Sequence, residues 1–475
     1  MSATPSSDKD YSKILETLRE GFESGANASL ENRKANLTAL KHLIVENEDA
    51  ICEALWADLY KSQFESVAHE TSHTVNEINT AISNLKCWTA PEKVTRFLLQ
   101  AADAAYIQPE PLGVVLIIGA WNFPVQLLLA PVVGALAAGN TVFLKPSELA
   151  PATEKLFLEL FPKYIKENVV KVVKADKDET GEILKLRFDH IFFTGSTNVG
   201  KIVMKAAAEN LTPVTLELGG KSPVIIDSDV DLYTTARRTM WGKLLNAGQV
   251  CVAPDYAIII GDSERRDKFV EECIKNVKEF YGENAKESEH YGRLVNTIQF
   301  DRLSKVLSES SGKMNYGGAK DRDSKYIEPT IISVEEGDAT LKDELFGPIL
   351  PILTLPSLDD AIKYVNRREK PLVSYLFSGR KQTIDRVTHE TSSGTLTIND
   401  TIMHMTLETL PFGGVGHSGT GKYHGKSTFD TFSHKKSVFH RTAGFEKLLW
   451  MRYPPFNADK LTWARRLSMK IRLPF

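Results

Sequence analysis

Apolar residues recur at three- and four-residue spacing through residues 11–90. Leu15, Leu18 and Phe22 form one set, and Leu37, Leu40, Leu43 and Ile44 a second. That period predicts amphipathic helices. Farther on, Thr71, Ser72 or Thr74 is placed to cap a helix running through Ile78, Ile82 and Leu85. The pattern breaks between Trp88 and Asp103, and Ala104 to Pro109 read as a short strand. From Gly113 the pattern changes. Val114 to Ile118, Thr141 to Leu144, Val169 to Val173 and His190 to Phe193 are short apolar runs rich in branched residues. Helical segments separate them, as at 125–138 and 151–165. Runs without polar alternation predict strands buried on both faces, and their alternation with helices predicts a Rossmann-like parallel sheet.

A second α/β set begins after Glu217. Val224 to Asp227 reads as a strand and 230–245 as a helix, followed by a strand at Tyr256 to Ile260 and a charged helix at 264–281. The alternation resumes at Ile352 to Thr354, the helix 357–367, Val373 to Phe377, the helix 381–390 and Thr395 to Ile398. No repeat or low-complexity linker divides the halves, so the boundary near 215 rests on pattern. Residues 411–425 are dense in glycine but lack the strand and GK[ST] context of a phosphate cradle, and predict a wrapping loop. Ser437 to Arg441 reads as a last short strand.

From Leu112 to Leu144 the chain carries no charge, which a hydropathy window would read as a membrane span. Gly113, Gly119, Pro124, Pro131, Gly134 and Gly139 interrupt it and Asn122 lies inside, so a buried strand, a loop and a buried helix are expected instead. A chain of 475 residues is too long for one ordinary core and predicts two or three domains. The net charge of −3 gives nucleic acid no electrostatic footprint. Cysteines stand at 52, 87, 251 and 273 without CxxC or paired spacing. This fits a reducing compartment and argues against a disulfide framework or structural zinc, so no metal is expected. Met1 to Asp10 is polar and lacks the apolar core of a signal peptide, which predicts a cytoplasmic protein.

The candidate chemistry centres on Asn246-Ala-Gly-Gln-Val-Cys-Val-Ala-Pro254. Small neighbours leave Cys251 approachable, and Asn246-Ala247-Gly248 is suited to ending a helix. A thiolate is a strong nucleophile where it is exposed and its pKa lowered, whereas a cysteine on its own is more often a buried structural residue. Gly195-Ser-Thr-Asn-Val-Gly200 follows a strand and opens an amphipathic segment. It suits either a helix cap or a phosphate site.

Three further segments change the weight of Cys251: Trp121-Asn-Phe-Pro124, Glu217-Leu-Gly-Gly-Lys-Ser-Pro223 and Glu344-Leu-Phe-Gly-Pro348. Together with Gly248-Gln-Val-Cys251 they resemble the aldehyde dehydrogenase family, and within it the class 3 and fatty aldehyde dehydrogenase branch. Leu410-Pro-Phe-Gly-Gly414 and Thr431-Phe-Ser-His434 are similar to that branch in particular. The resemblance runs from about residue 12 to 440. It implies a Rossmann-like NAD-binding domain (1–90 and 110–215), an α/β catalytic domain (216–420), a small β oligomerisation arm (91–109 and 421–450) and a tail (451–475). It implies that Cys251 attacks an aldehyde, and that the Asn122 amide with the Cys251 N–H holds the oxyanion. Glu217 would activate the water that releases the acid, with Glu344 the alternative base. Lys145 and Glu148, in Leu144-Lys-Pro-Ser-Glu148, would bond the adenosine ribose. Gly195 and Ser196 would contact the nicotinamide and pyrophosphate, and Glu344 and Phe346 the nicotinamide ribose. Trp121 joins this cofactor-binding set. The cofactor expected is NAD, since Glu148 favours a free 2′-hydroxyl, with NADP an alternative.

The branch implies a small apolar aldehyde, medium- or long-chain aliphatic or another apolar kind, with Met403, Met405 and Leu407 as tunnel or core residues. It also implies a homodimer, because the N-terminus is short. Phe123 departs from the tyrosine common in the branch, which bears on pocket polarity. A coenzyme A-acylating dehydrogenase and a non-catalytic use of the scaffold, as in some lens proteins, are the rival readings. Glu217 argues against the first, and the intact Cys251, Glu217 and Asn122 against the second. The chain does not end in the apolar helix of the membrane-bound fatty aldehyde enzymes. Leu461, Trp463, Leu467, Met469, Ile471, Leu473 and Phe475 instead mix with Arg465, Arg466, Lys470 and Arg472. A basic amphipathic tail of this kind suits peripheral contact with an anionic membrane, packing on the dimer, or continuation into a longer chain.

Overall fold

The computed structural model describes residues 10–96, 100, 103–442, 444 and 446–467. Two mostly parallel sheets form its frame. Five parallel strands, Val114–Ile118, Thr141–Lys145, Val170–Val172, His190–Gly195 and Val214–Leu218, lie side by side in the spatial order third, second, first, fourth, fifth. The order reverses between Val114–Ile118 and His190–Gly195. Their carboxyl ends open the crevice where such sheets take ligands.

The uncharged stretch from Leu112 to Leu144 resolves as expected into strand, loop and helix. Helix Gln126–Ala138 has every residue buried, because it lies between the sheet and the helices Ser72–Trp88 and Lys426–Thr431. Gly139, at φ +99°, ends it in a left-handed conformation that its missing Cβ allows.

The N-terminal helices are Tyr11–Glu23, Leu30–Val45 and Glu48–Leu59. A continuous helical stretch follows, from Gln63–Ser66 through a wide π turn at Val67–Thr71 into Ser72–Trp88. None of Thr71, Ser72 and Thr74 caps it. Its start lies nine residues before Thr71, where the Ser62 hydroxyl accepts from Glu65 N at 3.2 Å. Thr71 instead donates to Glu48 and Thr74 to Glu70 O, because the π turn leaves no break for a cap.

The second sheet has seven strands in the order Lys313–Tyr316, Thr330–Val334, Ile349–Leu355, Tyr256–Ile260, Pro223–Ile226, Val373–Phe377 and Thr395–Ile398. Only the first joins its neighbour antiparallel. A third sheet, antiparallel, joins Glu92–Lys93, Ala104–Pro111 and Ser433–His440 along the surface.

The glycine-dense segment wraps back onto the first sheet. There Gly419–Thr420 pairs antiparallel with Val214–Leu218, with Gly419 opposite Glu217. A Cβ on Gly419 would stand 2.1 Å from Leu216 O, so only glycine fits. Residues 426–431 then lie against Gln126–Ala138, beneath the first sheet. Helix Ala458–Leu467 carries exposed Leu461 and Trp463. Met469, Lys470, Ile471, Arg472, Leu473 and Phe475 lie outside the described residues. Among those described, no helix is long and apolar enough to cross a membrane.

Candidate active site

Asn122 sits in the loop between strand Val114–Ile118 and helix Gln126–Ala138, and a buried ion pair holds that loop. Lys61 and Glu70, both fully buried, contact each other directly. The Lys61 ammonium also donates to Asn122 O at 3.0 Å and lies 4.0 Å from the centre of the Phe123 ring. The second oxygen of Glu70 accepts from Val125 N (2.8 Å) and Gln126 N (3.1 Å). The π turn at Val67–Thr71 brings Glu70 inward to these amides. Lys61 and Glu70 carry no motif, so the sequence does not single them out.

The cysteine loop leaves helix Leu232–Leu244 through three consecutive residues in the left-handed region: Asn246 (φ +49°), Ala247 (φ +53°) and Gly248 (φ +77°). The first two are costly for residues with a Cβ, and local hydrogen bonds hold them there. Asn246 Nδ2 donates to Asn122 O at 2.8 Å, and Gln249 Nε2 donates to Asn246 O and to Arg293 O. Asn246 N donates to Glu65. Asn122 Nδ2 donates to Gln249 O at 2.9 Å, which ties the two loops together. An amide nitrogen has two protons, so the second remains for a ligand.

Cys251 is half-buried on the wall of a cleft of about 670 Å³ including its open mouth. Phe123, Leu127, Trp241, Leu245, Ile402, Met403 and Met405 supply apolar walls, and His69, His73, Gln126 and Tyr423 polar ones. Leu407 is half exposed beyond the short turn Met403–Thr406 and does not line the cleft. Burial pushes the Cys251 thiol up to about 12, helped by the charges of Glu344 and Glu217 and opposed by the N–H groups of Cys251 and Val252.

Glu217 occupies the end of strand Val214–Leu218, 3% exposed, and neither carboxylate oxygen has a hydrogen-bond partner among the described residues. Burial holds its pKa well above the ordinary carboxylate value. Glu344 differs in being partnered. It accepts from Gly220 N, feels Lys221 and Arg302, and lies where a Cβ on Gly219 would meet its oxygen at 2.1 Å. Burial and the nearby Asp255 carboxylate still raise it to about 8. Asp255 pairs with Lys221 and accepts from Leu345 N, and so anchors the loop that carries Glu344.

At the crevice of the first sheet, Lys145 ends strand Thr141–Lys145 and pairs with Glu148. Gly195 ends strand His190–Gly195. Ser196 is a helix cap, its hydroxyl accepting from Val199 N at 3.4 Å. The Trp121 and Phe346 rings meet edge to face at 5.3 Å, both half-buried, with Phe346 at φ +50°. Exposed apolar Leu149 and Val199 flank this opening, a surface that an aromatic base would cover. The Lys145–Glu148 ion pair, the Gly195–Ser196 turn and this apolar rim fit a dinucleotide.

The aldehyde dehydrogenase family model matches residues 1–438. Aldehyde dehydrogenase family 3 member B1 of Rattus norvegicus is 47% identical over 448 residues, 94% of this chain and 95% of that protein. The rat protein named aldehyde dehydrogenase, dimeric NADP-preferring, is also 47% identical, over 94% of this chain and 98% of its own. A substrate-bound AldH of Staphylococcus aureus superposes with a TM-score of 0.94 at 41% identity, covering 97% of this chain and all of its own. The chain belongs to the aldehyde dehydrogenase family.

Proposed function

We propose that Cys251 is the nucleophile, Asn122 with the Cys251 N–H the oxyanion donors, and Glu217 the deacylation base of this NAD(P)-dependent aldehyde dehydrogenase. One observation supports the set most directly: Cys251, whose loop is tied to the Asn122 loop, feels a Glu217 carboxylate that has no hydrogen-bond partner among the described residues. The Cys251 thiol releases its proton to water at the mouth of the cleft as its sulfur adds to the aldehyde carbon, and the carbonyl oxygen becomes an alkoxide facing the Asn122 amide and the Cys251 N–H. The bound nicotinamide ring supplies the acceptor for the hydride that leaves this carbon. A thioester on Cys251 remains. Glu217 takes a proton from water as the water adds to the thioester carbon, and the carbon–sulfur bond then breaks to release the acid.

Lys145, Glu148, Gly195, Ser196, Trp121, Glu344 and Phe346 are assigned to the cofactor. Glu148 at the ribose favours NAD, with NADP accepted. The cofactor-binding unit comprises the first sheet with its N-terminal helices and the wrapped segment 419–431. The catalytic unit comprises the second sheet, and the arm comprises the third. The arm pairs two copies into a homodimer, as the name of the dimeric relative suggests. A light-scattering mass of one chain at micromolar concentration would contradict that.

The apolar walls of the cleft support medium- or long-chain aldehydes as substrates. The test is kcat/KM across aldehydes of increasing chain length with NAD and NADP, each with and without coenzyme A. Acid as product and no acceleration by coenzyme A are expected, and acyl transfer to the thiol would reverse the assignment of Glu217. The tail from Ala458 presents Leu461 and Trp463 beside Arg465 and Arg466 and is proposed to rest on an anionic membrane. Equal, salt-insensitive sedimentation with phosphatidylserine vesicles, with and without residues after Pro455, would contradict it.

A further inference from the structure

His73 and Glu77 stand one turn apart on helix Ser72–Trp88, so their side chains share a face. His424 meets them from the wrapped segment, held at φ +79° just before helix Lys426–Thr431. Each of the three offers one ligand atom, and these atoms lie within 4.8 Å of one another. His73 Nε2, His424 Nε2 and Glu77 Oε1 are buried without a hydrogen-bond partner among the described residues. The other Glu77 oxygen accepts from Gly425 N at 3.0 Å, and the Phe412 ring stacks on His424 at 5.3 Å. These contacts orient two of the three groups and leave the inward-facing atoms unused.

We propose that His73, Glu77 and His424 bind a divalent transition-metal cation of the zinc type in the wall of the aldehyde cleft. Two imidazoles and a carboxylate are the donor set that such ions take, with a fourth position left for water. The Gly425 N–H bond to Glu77 is the outer support that metal-bound carboxylates need. His73 itself lines the cleft and gives the ion a way in. Glu77 offsets one of the two positive charges, and Glu408 adds negative potential at Glu77. The expectation of no metal rested on cysteine spacing, and this site contains no cysteine. Bound metal bridges helix Ser72–Trp88 to the wrapped segment and so stabilises the fold.

Cobalt(II) is the probe, because its spectrum separates nitrogen and oxygen ligands from sulfur. Metal-stripped wild-type protein and the Cys251→Ser, His73→Phe and Glu77→Gln variants are dialysed against Co²⁺, and bound metal, absorption spectrum and thermal midpoint are read. The site predicts one equivalent in wild type and in Cys251→Ser, weak ligand-field bands, a raised midpoint, and at least about tenfold weaker binding in each of the other two variants. Three outcomes overturn it: no stoichiometric binding, equal binding in His73→Phe and Glu77→Gln, or a sulfur charge-transfer band that vanishes in Cys251→Ser. Glu77→Gln disturbs the bond to Gly425. Should it not fold, His73→Phe, on a half-buried helix face, decides alone. Because the readout is binding, a failure here leaves the catalytic assignment standing, and a failure of that assignment leaves this site standing.

Discussion

Cys251 and Glu217 feel each other's charge but are held in opposite ways. Around the cysteine, Asn122, Asn246 and Gln249 exchange hydrogen bonds between two loops, and Lys61 with Glu70 fastens the backbone beneath. Around Glu217, neither carboxylate oxygen is hydrogen-bonded among the described residues. The difference matches the roles proposed for each. A nucleophile and its oxyanion donors act by staying in place, and preorganised dipoles cost nothing at the moment of reaction. A base must gain and lose a proton, and a carboxylate already bonded to fixed donors is too weak to do so. The frame is tied by hydrogen bonds, and the base has none among the described residues.

The largest break in this contrast is Cys251→Ser. Loss of the thiol is expected to lower kcat by at least about 10³-fold, on the scale of nucleophile deletions. NAD binding, measured by fluorescence titration, is expected to stay nearly unchanged. The frame itself is broken by Lys61→Met, which leaves Glu70 buried without its cation. The expected cost is about 3–5 kcal/mol of stability, read by denaturant unfolding. A fall in kcat larger than any rise in KM is also expected, since Asn122 O loses its donor. Lys61→Met with Glu70→Gln is expected to recover part of the stability but not kcat. An unchanged kcat in Lys61→Met would separate the ion pair from the oxyanion loop.

A smaller effect tests the apolar walls. Trp241→Ala is expected to shift the kcat/KM preference between short and long aldehydes by about 10–200-fold, the range for small changes in an apolar pocket. The smallest effect is on pH and stability. Buried Glu65 and Glu77 are raised to about 7 and Glu344 to about 8. The native state thus keeps protons that the unfolded chain releases above about 4.5. Stability is therefore expected to fall as pH rises from about 6.5 to 8. Half-buried His69 and His404, lowered to about 4 by desolvation, work the other way below about 6.5 and oppose the carboxylates there. Thermal midpoints of the cofactor-free protein across this range check both limbs.

Much of this was legible beforehand, and for stated reasons. Strands buried on both faces carry unbroken apolar runs, so Val114–Ile118, Tyr256–Ile260 and Val373–Phe377 could be read to the residue. Cys251, Glu217, Asn122 and Glu344, the residues proposed for the chemistry, stand out only through the resemblance of their segments to the aldehyde dehydrogenase family. Lys61 and Glu70 do not. A lysine and a glutamate nine residues apart look like solvated surface, and only the π turn and the fold reveal them as a buried pair. The cap was misplaced because a π turn carries no sequence mark that distinguishes it from a helix start. His73, Glu77 and His424 escaped for a related reason. Two come from one helix and the third from about 350 residues away, so no spacing links them.

The division of roles between frame and base is tested most directly by rapid mixing of Glu217→Gln with NAD and a long-chain aldehyde, followed by quenching and mass analysis of the peptide that carries Cys251. The account predicts a burst of NADH near one per site, turnover slowed by about 10²–10⁴-fold, and an acyl group on Cys251. An unchanged steady-state rate with no acyl-enzyme would contradict it. If Glu344→Gln then stalled as the acyl-enzyme, the base would be the partnered carboxylate instead of the bare one.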